Sequence, residues 1–548
     1  MTESDWQIQN IWLGLGITLA VFALYYLVAL FSRQKTHDSA DLYLAGRSVG
    51  PLVNSLAASS TWMSVATFLG VVALIQQLHL PFVYMWIQLI LSVPLLVLLY
   101  GASLYRMGAF TSVHFVQQRY GQRAGYLAAG WMLLIMLMYM VGQFIGVAKV
   151  FEVLLGLPYT SSLIISALVI TGYITIGGMK GATYNDAIQM VIMMLALLVP
   201  LAAILKAMGA SGYWFPPLGY GDLTDVLLER IPTFFDLKFE PRFYLALFVA
   251  LTIGTLGLPQ LAQRVLTSDS IRSARRVVPW FCLWVGLMFL GTYAMGVAGV
   301  YHFALIGQDL SPEAADKTTL LLNLAYNPDW VSAFVIAGVL AAGVSTIAGL
   351  MIGVATIVGH DIVGSLRPDL SEIKRLRYGY LALAGTGIVS LLVSLNPPAF
   401  LITSIFWAFG LCATAVTPMI VLGVWSTRIN IWGAMTGSAV AGLLYILLSP
   451  YVFPGLSIGS GIIANLGYSV ALISVPVGFI LTIAVSLLAE RMLPDLAAPE
   501  RARAQELVER IHGWATVTRQ RYDGSRWLLI LCALWLPVLV WGMMPWSP

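Results

Sequence analysis

Four hydroxyl side chains interrupt one apolar stretch of the chain. The segment 51–73 is long and apolar enough to cross a bilayer, but Ser59, Ser60, Thr61 and Ser64 lie at its centre. Lipid offers no hydrogen-bond partners at that depth, so these groups must face protein, water or an ion. Two interpretations are open: the hydroxyls bond the carbonyl one turn back and bend the helix, or the helix breaks and presents polar groups to a ligand.

A second pair of hydroxyls, Ser345 and Thr346, lies within the apolar segment 331–358. Two side-chain oxygens, together with carbonyls freed at a helix break near Ser60 and Met63, could supply the roughly five oxygen ligands that a small hard cation such as Na⁺ prefers. Coupling to Li⁺ or H⁺ is left open by the pattern. A second interpretation is also left open, in which both hydroxyls bond carbonyls of their own helix at a packing face.

Charged residues near apolar segments are few. Asp186 precedes the apolar run 186–206, where a carboxylate complements a helix dipole, so a helix cap is favoured over a role in cation coupling. Lys149 and Glu152 lie three residues apart at the end of another apolar segment, and this spacing predicts that they pair with each other.

The composition is that of an all-α polytopic membrane protein. Of 548 residues, 59% are hydrophobic and only 10% are charged, whereas soluble proteins approach a quarter charged. The net charge of +4 gives no reason to expect a nucleic-acid partner, and the three cysteines lie in apolar segments, without the spacing of a zinc or disulfide framework. Windows of about 20 apolar residues predict fourteen spans. They lie near 11–32, 51–75, 81–103, 124–150, 158–177, 186–206, 241–263, 277–303, 331–358, 376–395, 399–424, 431–450, 462–489 and 527–545.

The basic residues predict the orientation. With fourteen spans, most of the 29 Lys and Arg residues, Arg264 among them, fall in loops on one face. The positive-inside rule makes that face cytoplasmic and places both termini on the other side of the cell (inner) membrane. The cytoplasmic stretch 494–526 carries apolar residues at helical spacing and is predicted to form an amphipathic surface helix.

Two interrupted spans stand five apart. The first breaks near Ser60, and the second, 241–263, contains Gly254, Gly257 and Pro259, which weaken or prevent continuous helix. Spans five apart have opposite orientations. Interrupted segments in corresponding positions of two inverted halves are typical of secondary transporters that bind their solute near the bilayer midplane.

Several motifs carry a family resemblance. LAGRSVGP at 44–51, WMSVATFLG at 62–70, GGMKGATYNDAIQ at 177–189, and AAGVST at 341–346 followed by HDI resemble the sodium:solute symporter family over about 41–490. The resemblance implies a LeuT-like fold with a 5+5 inverted repeat. It also implies an extra helix and loop at 1–50, a ten-helix core at 51–424, and accessory helices at 425–548. The implied Na⁺ ligands are the carbonyls of Ser60, Met63 and Ala342 and the hydroxyls of Ser345 and Thr346.

Two further segments, YMVGQFIGVAKVFEVLLGL at 139–157 and GTLGLPQLAQRVLTSDSIRSARRVV at 254–278, resemble the acetate and monocarboxylate permease branch. This implies cation-coupled uptake of a small organic anion. Many relatives have Asp or Asn where this chain has Trp62, which removes a hydrogen-bonding group and puts the solute's identity in doubt. In some relatives the counterpart of Asp186 serves a second cation with two hydroxyls, but Ala348 and Gly349 stand at those positions here, so a single cation is expected.

No basic residue is expected at the midplane, so half-helix N-termini and hydroxyls would meet an anion's charge. The candidate solute contacts are polar or aromatic residues of the interrupted spans and their neighbours: Thr61, Trp62, Ser64, Thr67, Gln143, Thr255, Gln260 and Trp407.

The expected function is therefore Na⁺-driven import of a small organic solute, acetate or pyruvate being examples. Alternatives are a transporter-like receptor or sensor, a proton-coupled carrier, and a symporter for an amino acid or a sugar. An enzyme is not expected, because the spans contain no HExxH motif, paired carboxylates or Ser/His arrangement, and no catalytic residue is assigned. The expected partners are the solute, Na⁺ and the lipid bilayer.

Overall fold

A computed structural model describes residues 10–31, 44–79, 85–174, 178–237, 241–307, 311–397, 401–449 and 470–513. Across these ranges the chain is helical. They contain no β-strand, and the one isolated bridge joins Val49 to Ser268. The predicted all-α membrane fold is confirmed.

Nine helices of the described ranges are long and apolar enough to cross a membrane, and three bent helix pairs raise the number to twelve. A further predicted span, 158–177, corresponds to the helix Tyr159–Ile174, which has 16 residues. The predicted span 527–545 lies outside the described residues, as do Cys532 and the stretch 514–526. The number fourteen therefore stays a prediction.

The first part of the chain forms α1 and then the helices of the first predicted repeat. Short π-helical segments, Ala66–Gly70 and Val97–Gly101, precede α3 and α5. The helices are α1 (Ile11–Phe31), α2 (Pro51–Trp62), α3 (Val71–Leu78), α4 (Met85–Leu96), α5 (Ala102–Met107), α6 (Ser112–Tyr120), α7 (Gln122–Leu155), α8 (Tyr159–Ile174) and α9 (Gly178–Ala207).

The second predicted repeat begins after a connection built of short helical turns and α10. The helix of this connection is α10 (Gly221–Arg230). The helices of the repeat are α11 (Pro241–Gly257), α12 (Pro259–Leu266), α13 (Ile271–Leu305), α14 (Pro312–Ala315), α15 (Thr318–Tyr326), α16 (Asp329–Thr356), α17 (Gly364–Leu366), α18 (Glu372–Ser394), α19 (Ile402–Leu411) and α20 (Thr417–Trp425). The accessory helices are α21 (Ile431–Leu448), α22 (Val470–Met492) and α23 (Pro494–His512). The 3₁₀ turns are Ala45–Arg47, Ser211–Trp214, Pro216–Leu218 and Pro232–Phe235, and π segments at Ile357–Val363 and Cys412–Val416 extend α16 and α19.

Both predicted helix breaks are present. The axis bends by 59° between α2 and the helical segment Ala66–Leu78, and by 46° between α11 and α12. At the second break Leu258 is extended, with φ −66° and ψ 120°, and Pro259 begins α12 at a position where its missing N–H costs no hydrogen bond. A third pair, Leu91–Met107 and Ser112–Tyr120, bends by 73° and carries the chain into α7.

Helices α7, α9 and α16 surround the first broken helix. Helix α9 packs against both α2 and α16, while α7 packs against α16 and α19. The described part of α16 is almost entirely buried, consistent with a central helix that has little contact with lipid.

Helix α23 lies within the stretch 494–526 that is predicted to be amphipathic. Its buried face includes Ala504, Leu507, Val508 and Ile511. Arg106 at the end of α5 donates to the carbonyls of Ile511 (3.3 Å) and His512 (2.6 Å). This caps the last carbonyls of α23 with a cation and fixes the helix against the membrane domain.

Candidate cation and solute site at a helix break

The N-terminal half of the broken span ends at Trp62. Met63 leaves helical geometry with φ −73° and ψ 110°, and its N–H donates to the Ser59 carbonyl at 2.7 Å. Because the helix ends here, no backbone N–H of a following turn donates to the remaining carbonyls of the last turn. Ser60 and Thr61 therefore present backbone oxygens in the protein interior, where both residues are buried.

The hydroxyl pair of α16 meets these carbonyls. Ser345 Oγ lies 3.0 Å from the Ser60 carbonyl and 3.1 Å from the Ala342 carbonyl, and Thr346 Oγ1 lies 3.3 Å from the Thr61 carbonyl. Four of the five predicted cation ligands are thus in or next to one oxygen cluster. The Thr61 carbonyl is not among the ligands predicted from the sequence. The orphan carbonyls of a helix ending at Trp62 could have identified it.

Small residues allow this close approach. Val65, just beyond the break, packs between two glycines. A Cβ at Gly146 of α7 would lie 2.2 Å from Val65 Cγ1, and one at Gly343 of α16 would lie 2.8 Å from Val65 Cγ2. The break is therefore clamped between α7 and α16.

Side chains cap the start of the C-terminal half of the broken span. Ser64 N–H donates to Thr67 Oγ1 (3.3 Å), Val65 N–H to Gln143 Oε1 (3.3 Å) and Ala66 N–H to Ser64 Oγ (3.1 Å). These N–H groups form the half-helix N-terminus that is predicted from the sequence to meet an anion's charge. In the structure they already have acceptors, which reduces what this half-helix N-terminus offers a solute.

Aromatic rings surround the same break. The rings of Trp62 and Phe409 meet edge to face at 5.4 Å, and Tyr139 lies 5.5 Å from Phe409. Among the predicted solute contacts, Trp62, Ser64, Thr67 and Gln143 are brought together here.

The side chains of the other predicted contacts have different neighbours. The Trp407 ring packs at 5.8 Å from Tyr445 of α21, and Thr255 Oγ1 donates to the Leu251 carbonyl (2.7 Å) within its own helix. Gln260 and Thr61 both approach Gly349 of α16, since a Cβ there would lie 3.8 Å from Gln260 Cβ and 3.0 Å from Thr61 Cγ2.

Asp186 is not a helix cap. Helix α9 begins at Gly178, so Asp186 lies in its interior, where it is 1% exposed and forms an ion pair with Arg264 of α12. Arg264 also donates to the hydroxyls of Thr61 (3.1 Å) and Thr183 (2.9 Å). The assignment of Arg264 to a cytoplasmic loop is wrong in that the side chain is 3% exposed inside the protein.

A second buried ion pair lies near the C-terminal end of α7. Lys149 Nζ is 2.5 Å from Asp316, whose carboxylate also accepts the Leu401 N–H at 3.2 Å. Glu152 lies 3.4 Å from Lys317. The predicted Lys149–Glu152 pair is therefore replaced by two pairs that hold the connection between α14 and α15 against α7.

Sequence comparisons identify relatives over most of the chain. The family model "Sodium:solute symporter family" matches residues 42–441. The uncharacterized symporter YwcA of Bacillus subtilis is 26% identical over 490 residues, covering 84% of this chain and 91% of that protein. A protein named monocarboxylic acid transporter from Corynebacterium glutamicum is 26% identical over 471 residues, covering 80% and 84%.

Solved structures give the fold. A Na⁺-coupled sialic acid symporter in a substrate-bound outward-open state has a TM-score of 0.72 at 17% identity, covering 87% of this chain and 98% of that one. Mhp1, a nucleobase-cation-symport-1 transporter in a closed conformation, has a TM-score of 0.52 at 13% identity, covering 86% and 99%. The chain therefore has the predicted LeuT-like transporter fold.

Proposed function

We propose that this chain, which belongs to the sodium:solute symporter family, imports a small monocarboxylate such as acetate or pyruvate together with Na⁺. The cation would bind where the carbonyls of Ser60 and Thr61 meet the hydroxyls of Ser345 and Thr346. That junction is the single observation on which the proposal depends, because it joins oxygen ligands from two helices at a break inside a membrane protein.

The oxygen cluster suits a small hard cation. In its present arrangement each hydroxyl of the pair donates to a carbonyl. When a cation enters, each hydroxyl can turn its proton away and offer a lone pair, while the carbonyls already point inward. Ala342 supplies a third carbonyl, and Met63 is the further ligand that the family resemblance implies.

Coupling of Na⁺ binding to a conformational change follows because the cation's ligands come from two different helices. Ser60 and Thr61 belong to α2 and the hydroxyl pair belongs to α16, so a bound cation links two elements that can separate in a transport cycle. A ligand shifts a conformational equilibrium only by its different affinity for the two states. Na⁺ would stabilise the arrangement with α2 against α16, in which the solute site beside the break is formed.

A single cation is the proposed stoichiometry. The carboxylate of Asp186, the candidate for a second cation, is paired with the Arg264 guanidinium. Ala348 and Gly349 supply no side-chain oxygen on the facing part of α16. A fixed internal cation thus stands beside the carboxylate that a second Na⁺ would need.

The monocarboxylate assignment is supported by the relative from Corynebacterium glutamicum and by the aromatic rings beside the break. A short acyl chain suits such apolar walls, whereas a sugar needs many hydrogen-bond partners. We assign the transport core to 51–424, with 1–50 and 425–548 as flanking parts.

Uptake into proteoliposomes tests the proposal. With an inward Na⁺ gradient, the wild-type protein should accumulate radiolabelled acetate or pyruvate. Ser345→Ala and Thr346→Ala should each abolish the Na⁺-stimulated component, because each removes one ligand. Ser390→Ala is the matched control, since this buried hydroxyl of α18 also donates to a carbonyl, that of Leu137, but lies outside the cluster.

The outcomes separate the alternatives. Uptake that stays Na⁺-dependent in the Ser345→Ala/Thr346→Ala double variant would overturn the cation site, and stimulation by a proton gradient instead would identify the proton-coupled carrier. Solute binding without accumulation would indicate a receptor. Unchanged melting temperatures in the variants without Na⁺ would show that lost uptake is not lost folding.

A further inference from the structure

Two buried N–H donors at the helix break have no acceptor among the described residues: Trp62 Nε1 and Gln143 Nε2. Trp62 is 5% exposed and Gln143 is 0% exposed. A buried donor without a partner is costly, by about 1–3 kcal/mol, so such groups usually mark a ligand or a water. An indole or amide nitrogen donates hydrogen bonds and does not accept them, so each of these two groups needs an acceptor.

The orientation of Gln143 is determined by its surroundings. Its Oε1 accepts the Val65 N–H at 3.3 Å, and a donor at Val65 requires the amide oxygen to be on that side. The amide nitrogen must then point away from Val65. The reverse orientation would place two donors against each other.

The competing groups at the break are already engaged. Ser64 and Thr67 hydroxyls cap backbone N–H groups, and the Ser345 and Thr346 hydroxyls bond carbonyls. The nearest guanidinium, Arg264, is paired with Asp186. The Ser59 and Ser60 hydroxyls are also without a partner, but a hydroxyl can rotate, and it can accept as well as donate.

We infer that the carboxylate of the transported anion is held by Trp62 Nε1–H and Gln143 Nε2–H, with its alkyl or acyl chain against Phe409 and Tyr139. Both donors lie next to apolar rings: Trp62 contacts Phe409 edge to face, and Tyr139 is four residues before Gln143 on the same face of α7. This inference rests on the proposed function and deepens it.

Trp62 then favours a carboxylate solute. Compared with Asp, an indole at this position removes a negative charge and adds an N–H donor. Compared with Asn, it keeps an N–H donor and removes the amide oxygen. In either comparison a carboxylate solute meets a donor without a competing side-chain oxygen. A dicarboxylate does not fit, because its second charge would find no free cation in the described surroundings of the break.

The experiment compares donor-removing substitutions in proteoliposomes. Trp62→Phe keeps a six-membered ring against Phe409 and removes the indole N–H together with the rest of the five-membered ring. Gln143→Glu keeps an oxygen for the Val65 N–H and replaces the amide donor by a negative charge. The control is Trp131→Phe, which removes another indole N–H without a partner from the same helix as Gln143, where the ring meets Gly442 of α21.

Initial rates are measured with acetate, propionate and pyruvate, and succinate serves as the dicarboxylate competitor. Trp62→Phe should raise the KM for the transported acid roughly 10- to 100-fold, as expected for a lost hydrogen bond to a charged group, and Gln143→Glu should do at least as much. Both should keep the Na⁺-dependent rise in melting temperature. Trp131→Phe should match the wild type, and succinate should not compete.

The two possible failures are distinguishable. If the wild-type protein accumulates none of the three acids, the proposed solute class is wrong and this inference is overturned with it. If it accumulates one of them and Trp62→Phe and Gln143→Glu leave KM unchanged, only the inference is overturned. If one variant does not fold, the other decides between these outcomes.

Discussion

The pair Asp186–Arg264 places two opposite charges inside the membrane domain, each almost fully buried. Burial of a charge is costly, and attraction between the partners offsets that cost only while both are present. Arg264 also donates to Thr61 and Thr183, and so links α2, α9 and α12 at one point. This pair therefore contributes to the packing of α2, α9 and α12 beside the candidate cation site.

Removal of one partner should be worse than removal of both. Arg264→Met leaves Asp186 with an uncompensated charge, and we expect a loss of about 3–5 kcal/mol in the free energy of unfolding. Asp186→Asn/Arg264→Met should recover most of that loss. Melting temperatures of the purified protein in detergent measure both effects, and a double variant as unstable as Arg264→Met would contradict this account.

At this scale the sequence predicts some residues better than others. Ser345, Thr346 and the break near Ser60 stand out because hydroxyls are conspicuous in apolar segments. Arg264 does not, because a basic residue just after an apolar segment normally lies in the cytoplasm. Only the bend at Leu258 directs α12 so that this side chain meets Asp186 in the protein interior.

Helix packing determines whether the break has its observed shape. Val65 is held between glycines of α7 and α16, and any added methyl group must displace it. Since Val65 directly follows the residues that form the break, such a displacement is transmitted to the Ser60 and Thr61 carbonyls. Packing at Gly146 thus supports the cation ligands without touching them.

Gly146→Ala should therefore weaken Na⁺ binding as well as stability. The new Cβ would lie 2.2 Å from Val65 Cγ1, and overpacking of this kind costs about 1–3 kcal/mol. Gly130→Ala is the control in the same helix, with nothing within 4 Å of the added Cβ. The Na⁺ concentration for half-maximal uptake should rise in Gly146→Ala and not in Gly130→Ala. Equal values in the two variants would show that the packing of Val65 against Gly146 does not affect Na⁺ binding.

The existence of helices and breaks could be predicted from the sequence, but their ionic partners could not. Apolar length and the Gly and Pro residues near Gly257 are visible locally. The spacing of Lys149 and Glu152 is compatible with a pair, yet Asp316 and Lys317 are better partners because the connection between α14 and α15 folds back onto α7. Such a contact depends on tertiary structure, which residue spacing does not encode.

For the whole molecule, the inverted arrangement of two broken helices requires that the chain cross the membrane in a definite order. The family and fold are established over most of the chain, while the side of the membrane on which each loop lies stays a prediction from the basic residues. The LeuT-like fold is compatible with either direction of insertion on packing grounds alone, because its contacts do not depend on which side is the cytoplasm. Orientation must therefore be tested with probes at opposite faces.

Two single-cysteine variants provide that test in a background where Cys282, Cys412 and Cys532 are replaced by alanine. Trp214, which is 78% exposed, lies in the predicted outer connection, and the exposed Arg503 lies on α23 in the predicted cytoplasmic stretch. Trp214→Cys should react with a membrane-impermeant maleimide in intact cells. Arg503→Cys should react only after permeabilisation, because the Arg-rich segments around α23 favour the cytoplasmic side. The background protein without cysteine gives the blank, and the opposite labelling pattern would reverse the orientation of both termini.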